Sequence, residues 1–350
     1  MDIRMQDSAA VMALGQSVTA ALNTDTTLPL FIEPVDPRLA NDIQRASDWV
    51  REYRRELDHI LLTYGAYVLR NFPVADTASF DSIIGSYDSA AMNYSGGATL
   101  RGTVAGRIYE ATRVPSDMRL PLHQEMSYLP HWPGRLSFYC HVAPATGGET
   151  IVGDMRAAGA VIPQEFFNAV AERGVLYRRN FRDESVKRHP ALDAIHRTWQ
   201  HAFLTDDKAV AEAGCANMGL QYQWNDDGSL TTEFRTAGVI EHAATGEPVW
   251  FNQIAAQTMR TKAERIYGPA IMALIEEWYP AGGMRPNETW FADGGAIDRA
   301  DIAAVYDALD AVTVAFPWRA GDVMVLDNVL TAHGRSPYTG ERDVQVALLA

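Results

Sequence analysis

The stretch Leu120-Pro121-Leu122-His123-Gln124-Glu125-Met126-Ser127-Tyr128 decides how this chain is read. In extended backbone, residues i and i+2 point to one face, so the His123 imidazole and the Glu125 carboxylate converge without a special turn. Far downstream the apolar run Val323-Met324-Val325-Leu326 leads through Asp327-Asn328-Val329-Leu330-Thr331-Ala332 to a second imidazole, His333. Two histidines and one carboxylate on one face of a metal, with the other positions open, form the ligand set of non-haem Fe(II) oxygenases. The same three ligands on zinc, with water in the open position, would serve a hydrolase.

The composition narrows the field. With 350 residues, 47% hydrophobic content and 10% aromatics, the chain can bury a substantial core. Neither a repeat nor a low-complexity linker interrupts it, so one domain over residues 1–350 is expected. A formal charge of -14 repels nucleic acid, and no basic stretch is interleaved with aromatics. No apolar run approaches the ~20 residues of a membrane span, and Met1-Asp2-Ile3-Arg4 lacks the basic start of an export signal. The two cysteines, Cys140 and Cys215, exclude a disulfide framework and fit a reducing cytoplasm. The expected partner is a small-molecule substrate or a protein; the oligomeric state has no signal in the sequence.

Outward from the His-x-Glu stretch, Pro37 to Leu62 has helical spacing, Gly65 to Pro73 reads as a strand and Thr77 to Tyr87 as a short helix. The glycine-rich segment from Asn93 to Val114 matches no phosphate-binding pattern and reads as a loop near the site. Leu136 to Val142 is a strand by its aromatic and β-branched content, with His141 on its face rather than on a metal. Residues 155–310 read as a long, mostly helical insertion broken by strand-like pieces at 174–177 and 248–251. The fold class is therefore mainly β with α insertions. Beyond His333, turn residues up to Gly340 and an apolar strand from Asp343 read as a hairpin that returns Arg342 alongside His333. A guanidinium there can grip a carboxylate in two-pronged fashion.

These residues, with Thr150 placed 25 positions after Glu125, the Trp318, Gly321, Asp322, Asp327 and Asn328 series before His333, and Arg342 nine beyond it, resemble a known family. They are similar to the Fe(II)/2-oxoglutarate oxygenases of the taurine dioxygenase superfamily, above all its clavaminate-synthase-like and SyrP-like branches. Gly147-Gly148-Glu149-Thr150, Thr198-Trp199-Gln200, Val249-Trp250-Phe251-Asn252-Gln253 and His333-Gly334-Arg335 extend the likeness beyond about Tyr67.

The resemblance implies a double-stranded β-helix (jelly-roll) core in which His123, Glu125 and His333 bind Fe(II). It also implies that Arg342 and Thr150 hold the distal carboxylate of 2-oxoglutarate, with Arg335 as a competitor, and that O2 is the other co-substrate. Val346 stands where taurine dioxygenase carries an arginine for the sulfonate, so taurine is not expected. Glu125 fills the place that related halogenases leave small, so hydroxylation, desaturation or epoxidation is expected. Members of these branches oxidise free amino acids and amines, or acyl groups on a carrier protein, often in natural-product pathways. Arg101, Arg107, Tyr109, Tyr128 and Asn252 are the candidate substrate contacts. The basic run from Tyr177 to His189 is either a solvated loop or a dock for an acidic carrier. A hydrolase on the same ligands would need no Arg342 and Thr150 pair, and a non-catalytic partner-binding protein would need no intact ligand set.

Overall fold

A computed structural model describes residues 8–22, 26–87, 92, 102–112, 114–187, 189–193, 195–279 and 284–350. Eight strands make the larger sheet, in the order Val18–Leu22, Leu30–Pro34, Ala66–Leu69, Val323–Asp327, Arg135–Val142, Asp343–Leu349, Ile108–Glu110 and Thr103–Ala105. The smaller sheet is Leu120–His123, Thr331–Arg335 and Val152–Asp154, extended by the short pair Thr146–Gly147 and Tyr338–Thr339.

Period-two alternation explains how these strands pack. Val68, Phe138, Met324 and Val346 face inward to one buried cluster, which also takes Leu122, Val152 and Ala332 from the smaller sheet. Their neighbours Tyr67, Tyr139, Val325 and Ala347 face outward to a second cluster under Trp49, Leu57, Ile60 and Phe80. Both faces of the larger sheet are thus covered, one by the smaller sheet and one by helices. This is the expected double-stranded β-helix.

The segment 37–62 is three helices, Pro37–Asn41, Ile43–Glu52 and Arg54–Tyr64. Asp42 makes the first break, since its carboxylate accepts from the amides of Gln44 and Arg45 and so starts a new helix. The glycine-rich loop contains a hairpin, Thr103–Ala105 with Ile108–Glu110, that forms the sheet edge. The insertion has its helices and also a four-stranded antiparallel sheet, ordered Gln221–Trp224, Leu230–Thr236, Val175–Phe181 and Asn287–Phe291. The strand-like pieces expected at 174–177 and 248–251 fall in the strands Val175–Phe181 and Pro248–Trp250, while the Thr, Asn and Arg content of the other strands hid them from a search for apolar runs. No helix among the described residues is long and apolar enough to cross a membrane.

The expected terminal hairpin is not formed. Thr331–Arg335 pairs with Leu120–His123 and Val152–Asp154, whereas Asp343–Leu349 pairs with Arg135–Val142 and Ile108–Glu110 in the other sheet. The chain crosses between sheets at 336–342, so Arg342 arrives from the opposite layer.

Ala66–Leu69 and Val323–Asp327, neighbours in the larger sheet, are held at one end by a buried ion pair. Arg70 donates to Asp322 from Nε (3.0 Å) and from its terminal nitrogen (2.7 Å), and also to the Pro317 carbonyl. Asp322 in turn accepts from the Arg319 amide, which closes the Trp318–Asp322 turn ahead of the central strand. Arg70→Met would leave the Asp322 charge buried and unpaired, and should cost about 3–5 kcal/mol in urea unfolding. A loss under about 1 kcal/mol, the worth of an exposed pair, would show that the turn stands without it.

Candidate active site

His123 and His333 are direct cross-strand partners in the smaller sheet, and their ring centroids lie 4.4 Å apart. So close an approach needs Gly334, where a Cβ would lie 2.4 Å from the Leu120 carbonyl oxygen. The strand ends at His123, and Glu125 stands in the turn that follows. Strand alternation therefore does not aim the carboxylate. Asn328 does: its Oδ1 accepts from the Glu125 amide (2.7 Å), and its Nδ2 donates to the carbonyls of Glu125 (3.0 Å) and Pro133 (2.8 Å). Met126 beside it takes a left-handed φ of 58°.

One ligand atom from each of His123, Glu125 and His333 lies within 4.8 Å of the other two. His333 Nε2 is 3.7 Å from Glu125 Oε2. The Nδ1 of His123 is 3.0 Å from the Pro121 carbonyl, a contact it can make only as donor. That fixes the tautomer and leaves the Nε2 lone pair for a metal. Glu125 and His333 are buried, as a site that must exclude bulk water requires. The donor set, its spacing and its tautomer fit a divalent iron with open positions.

A polar lattice fixes the turn from behind. Gln124 donates to the carbonyls of Val329 (2.7 Å) and Trp250 (3.0 Å), Gln253 donates to the Gln124 carbonyl (2.7 Å), and the Gln253 amide donates to the Tyr177 hydroxyl. Asp327 caps the backbone of Val329 and Leu330 and meets His242 Nε2 at 3.2 Å. The Val249–Gln253 stretch and the Asp327-Asn328 pair thus act through the ligand turn.

Thr150 and Arg342 meet beside this cluster. Thr150 precedes by two residues Val152, the other cross-strand partner of His333. Arg342 donates from Nε to the Gly148 carbonyl (2.9 Å) and from a terminal nitrogen to Thr150 Oγ1 (3.5 Å), and Trp318 Nε1 donates to the same hydroxyl (3.1 Å). Among the described residues no carboxylate pairs with Arg342. Burial, and next the nearby Arg335, push its guanidinium down to about 10, so it stays charged at neutral pH. Arg335 is spent: it donates to the carbonyls of Val114, Pro115 and Met118.

Comparison with known proteins agrees with this geometry. The family model for the taurine catabolism dioxygenase TauD, TfdA family matches residues 33–348. The chain belongs to the TauD/TfdA family. It is a 2-oxoglutarate-dependent non-haem iron oxygenase, with Fe(II), 2-oxoglutarate and O2 as its cofactor and co-substrates. A clavaminate synthase-like protein of Arabidopsis thaliana is 28% identical over 303 residues, 85% of this chain and 86% of that protein. The dapdiamide synthesis protein DdaC of Enterobacter agglomerans is 28% identical over 293 residues, 84% of each. Among solved structures, PvcB of Pseudomonas aeruginosa has a TM-score of 0.51 at 14% identity, over 95% of this chain and 91% of that one. This last likeness bears on the fold alone.

As a TauD/TfdA chain it departs from the expected substrate contacts at several positions. Arg101 lies outside the described residues. Arg107 is a surface residue paired with Asp81 (2.8 Å), so it does not reach the ligand cluster. Asn252 spends its amide on the Gly238 carbonyl and the Ile254 amide, which makes it a backbone brace. Tyr109 sits opposite Val346 on the inner face of the larger sheet. Tyr128, three residues after Glu125, is buried against Tyr177. His141 turns outward to Asp343, as expected of a strand-face residue. The basic run is scattered by its strand: Arg178 pairs with Glu233 and Arg182 with Asp193, while Arg179 points to the other face. Arg179 is the residue that reading the run as one patch missed, and alternation along 175–181 was the available signal.

Asn328→Ala removes the clamp on Glu125 but no ligand atom. Metal affinity, measured with Co(II) by equilibrium dialysis, should fall about 10–100-fold while the protein stays folded. Unchanged affinity would mean that Glu125 is positioned by something other than Asn328.

Proposed function

We propose that this TauD/TfdA chain oxidises an unactivated C–H of a small amino-acid-like or amine substrate, by hydroxylation or the related desaturation or epoxidation, in natural-product biosynthesis. The observation that carries this reading is the three-ligand cluster beside a half-buried guanidinium that pairs with no carboxylate among the described residues. The biosynthetic setting is supported by the name of one similar protein, DdaC, a dapdiamide synthesis protein.

His123, Glu125 and His333 would hold the iron, which with 2-oxoglutarate and O2 supplies an oxidant able to take hydrogen from carbon, releasing CO2 and succinate. Arg342 would bind the distal carboxylate of 2-oxoglutarate through its planar fork. Thr150 Oγ1 already accepts from Trp318 and Arg342, so its own hydrogen is directed to a third partner, the same carboxylate. Phe138, with its ring centroid 5.2 Å from that of His333, helps keep the site dry. Between 177 and 189 Arg178 and Arg182 are held in ion pairs while Lys187 is exposed, and the pairing of the two arginines supports a free small molecule rather than a carrier protein.

His123→Ala, Glu125→Ala and His333→Ala should each abolish substrate oxidation, since each removes one of three protein ligands. Anaerobic addition of Fe(II) and then 2-oxoglutarate should raise a weak visible charge-transfer band in the parent protein and none in these variants. A folded variant that kept near-parent turnover would remove its residue from the ligand set.

Arg342→Ala should leave Fe(II) binding intact and weaken 2-oxoglutarate by about one to two decades, since a charge-assisted contact is worth ~1.5–3 kcal/mol. Arg335→Ala, which frees only backbone carbonyls, should affect 2-oxoglutarate less. The reverse ranking in titrations of the co-substrate would exchange the two roles.

A further inference from the structure

A cleft of about 610 Å³ lies between the start of the ligand strand and the insertion, lined among others by Leu120, Pro121, Arg179, Gln257 and Asn287. Its size suits a small substrate. Arg179 differs from the other arginines of the sheet that forms this wall. Arg178 and Arg235 both reach Glu233, and Arg285 reaches Glu288. Among the described residues Arg179 pairs with no carboxylate, and its Nε is screened from solvent without a hydrogen-bond acceptor.

The guanidinium is held in place by rings. Its central carbon lies 5.4 Å from the centroid of Tyr128 and 4.8 Å from that of Phe181. Aromatic faces favour a cation but accept none of its in-plane N–H bonds, so they fix its plane and leave its donors unspent. A half-buried cation with unspent donors is costly unless an anion joins it. Tyr128 belongs to the turn that carries Glu125, so an anion on Arg179 would be held against that turn. A phosphate on a long carrier arm, many bonds from the reacting carbon, would instead be met at the cleft mouth.

We propose that Arg179 binds a carboxylate of the substrate itself, and so sets which carbon faces the iron. This rests on the function proposed above and adds the substrate class, a free carboxylic acid. It also separates two anion sites: Arg342 and Thr150 for the co-substrate, and Arg179 with its two rings for the substrate.

The test uses the full chain loaded with Zn(II), a redox-inert stand-in for iron, and saturated with 2-oxoglutarate so that Arg342 is occupied. Saturation-transfer NMR would compare N-acetylglycine with its primary amide, which differs only in the charge. The acid should bind saturably, the amide at least tenfold more weakly, and Arg179→Gln should weaken the acid at least tenfold with 2-oxoglutarate affinity unchanged. Arg179→Lys, which keeps charge without the fork, should recover part of the binding, and Arg178→Gln on the opposite face should change nothing. Equal binding of acid and amide, no saturable binding of the acid, or full binding to Arg179→Gln would each overturn the assignment. Phosphopantetheine binding that depends on Arg179, with no such dependence for the acid, would overturn it in favour of a carrier arm. Failure of 2-oxoglutarate to bind the Zn(II)-loaded protein would count against the function proposed above, while the comparison of the parent with Arg179→Gln would still decide the role of Arg179.

Discussion

The close approach of two short strands is the constraint on which this structure depends. His123 and His333 face each other across one rung because Gly334 lets the strand of His333 settle onto the Leu120 carbonyl, where any Cβ would collide. The third side chain cannot come from the same ladder, since the strand has ended. It is delivered by a turn whose backbone is gripped from both sides by the Asn328 amide, itself completely buried. A buried primary amide that satisfies one amide and two carbonyls is rigid, because each lost bond would leave an unpaired group away from water.

The insertion is part of this arrangement rather than an appendage. Gln124, between the two ligand residues in sequence, bonds to carbonyls on either side of it, one from the core and one from the insertion. Gln253 and Tyr177 continue that lattice into the added sheet. The cleft wall is thereby fixed in position relative to the ligand turn.

Four arginines divide the electrostatic work. Arg70 is neutralised by Asp322 and serves the fold, and Arg335 is spent on three carbonyl dipoles. Among the described residues Arg342 and Arg179 pair with no carboxylate, one lying beside Thr150 and one beside Tyr128. In a chain of charge -14, these are the two cations to which the proposals above assign anionic small molecules.

Local pattern carried much of this in the sequence. Period-two apolar strands gave the β core, and residue types at His123, Glu125 and His333 gave the metal chemistry, because ligand identity is a property of side chains. Resemblance added Thr150 and the co-substrate role of Arg342. What lay beyond reach were long-range contacts. The hairpin expected to return Arg342 does not exist, and the arginine reaches Thr150 from the facing sheet instead. Arg107 was placed near the site by its glycine-rich setting and belongs to a surface ion pair. The strand-like piece at 174–177 was legible but its polar continuation to Phe181 was not, so Arg178 and Arg179 read as one charged run. Only folding put them on opposite faces of a sheet, because which neighbour each guanidinium meets is decided by chain segments more than fifty residues away.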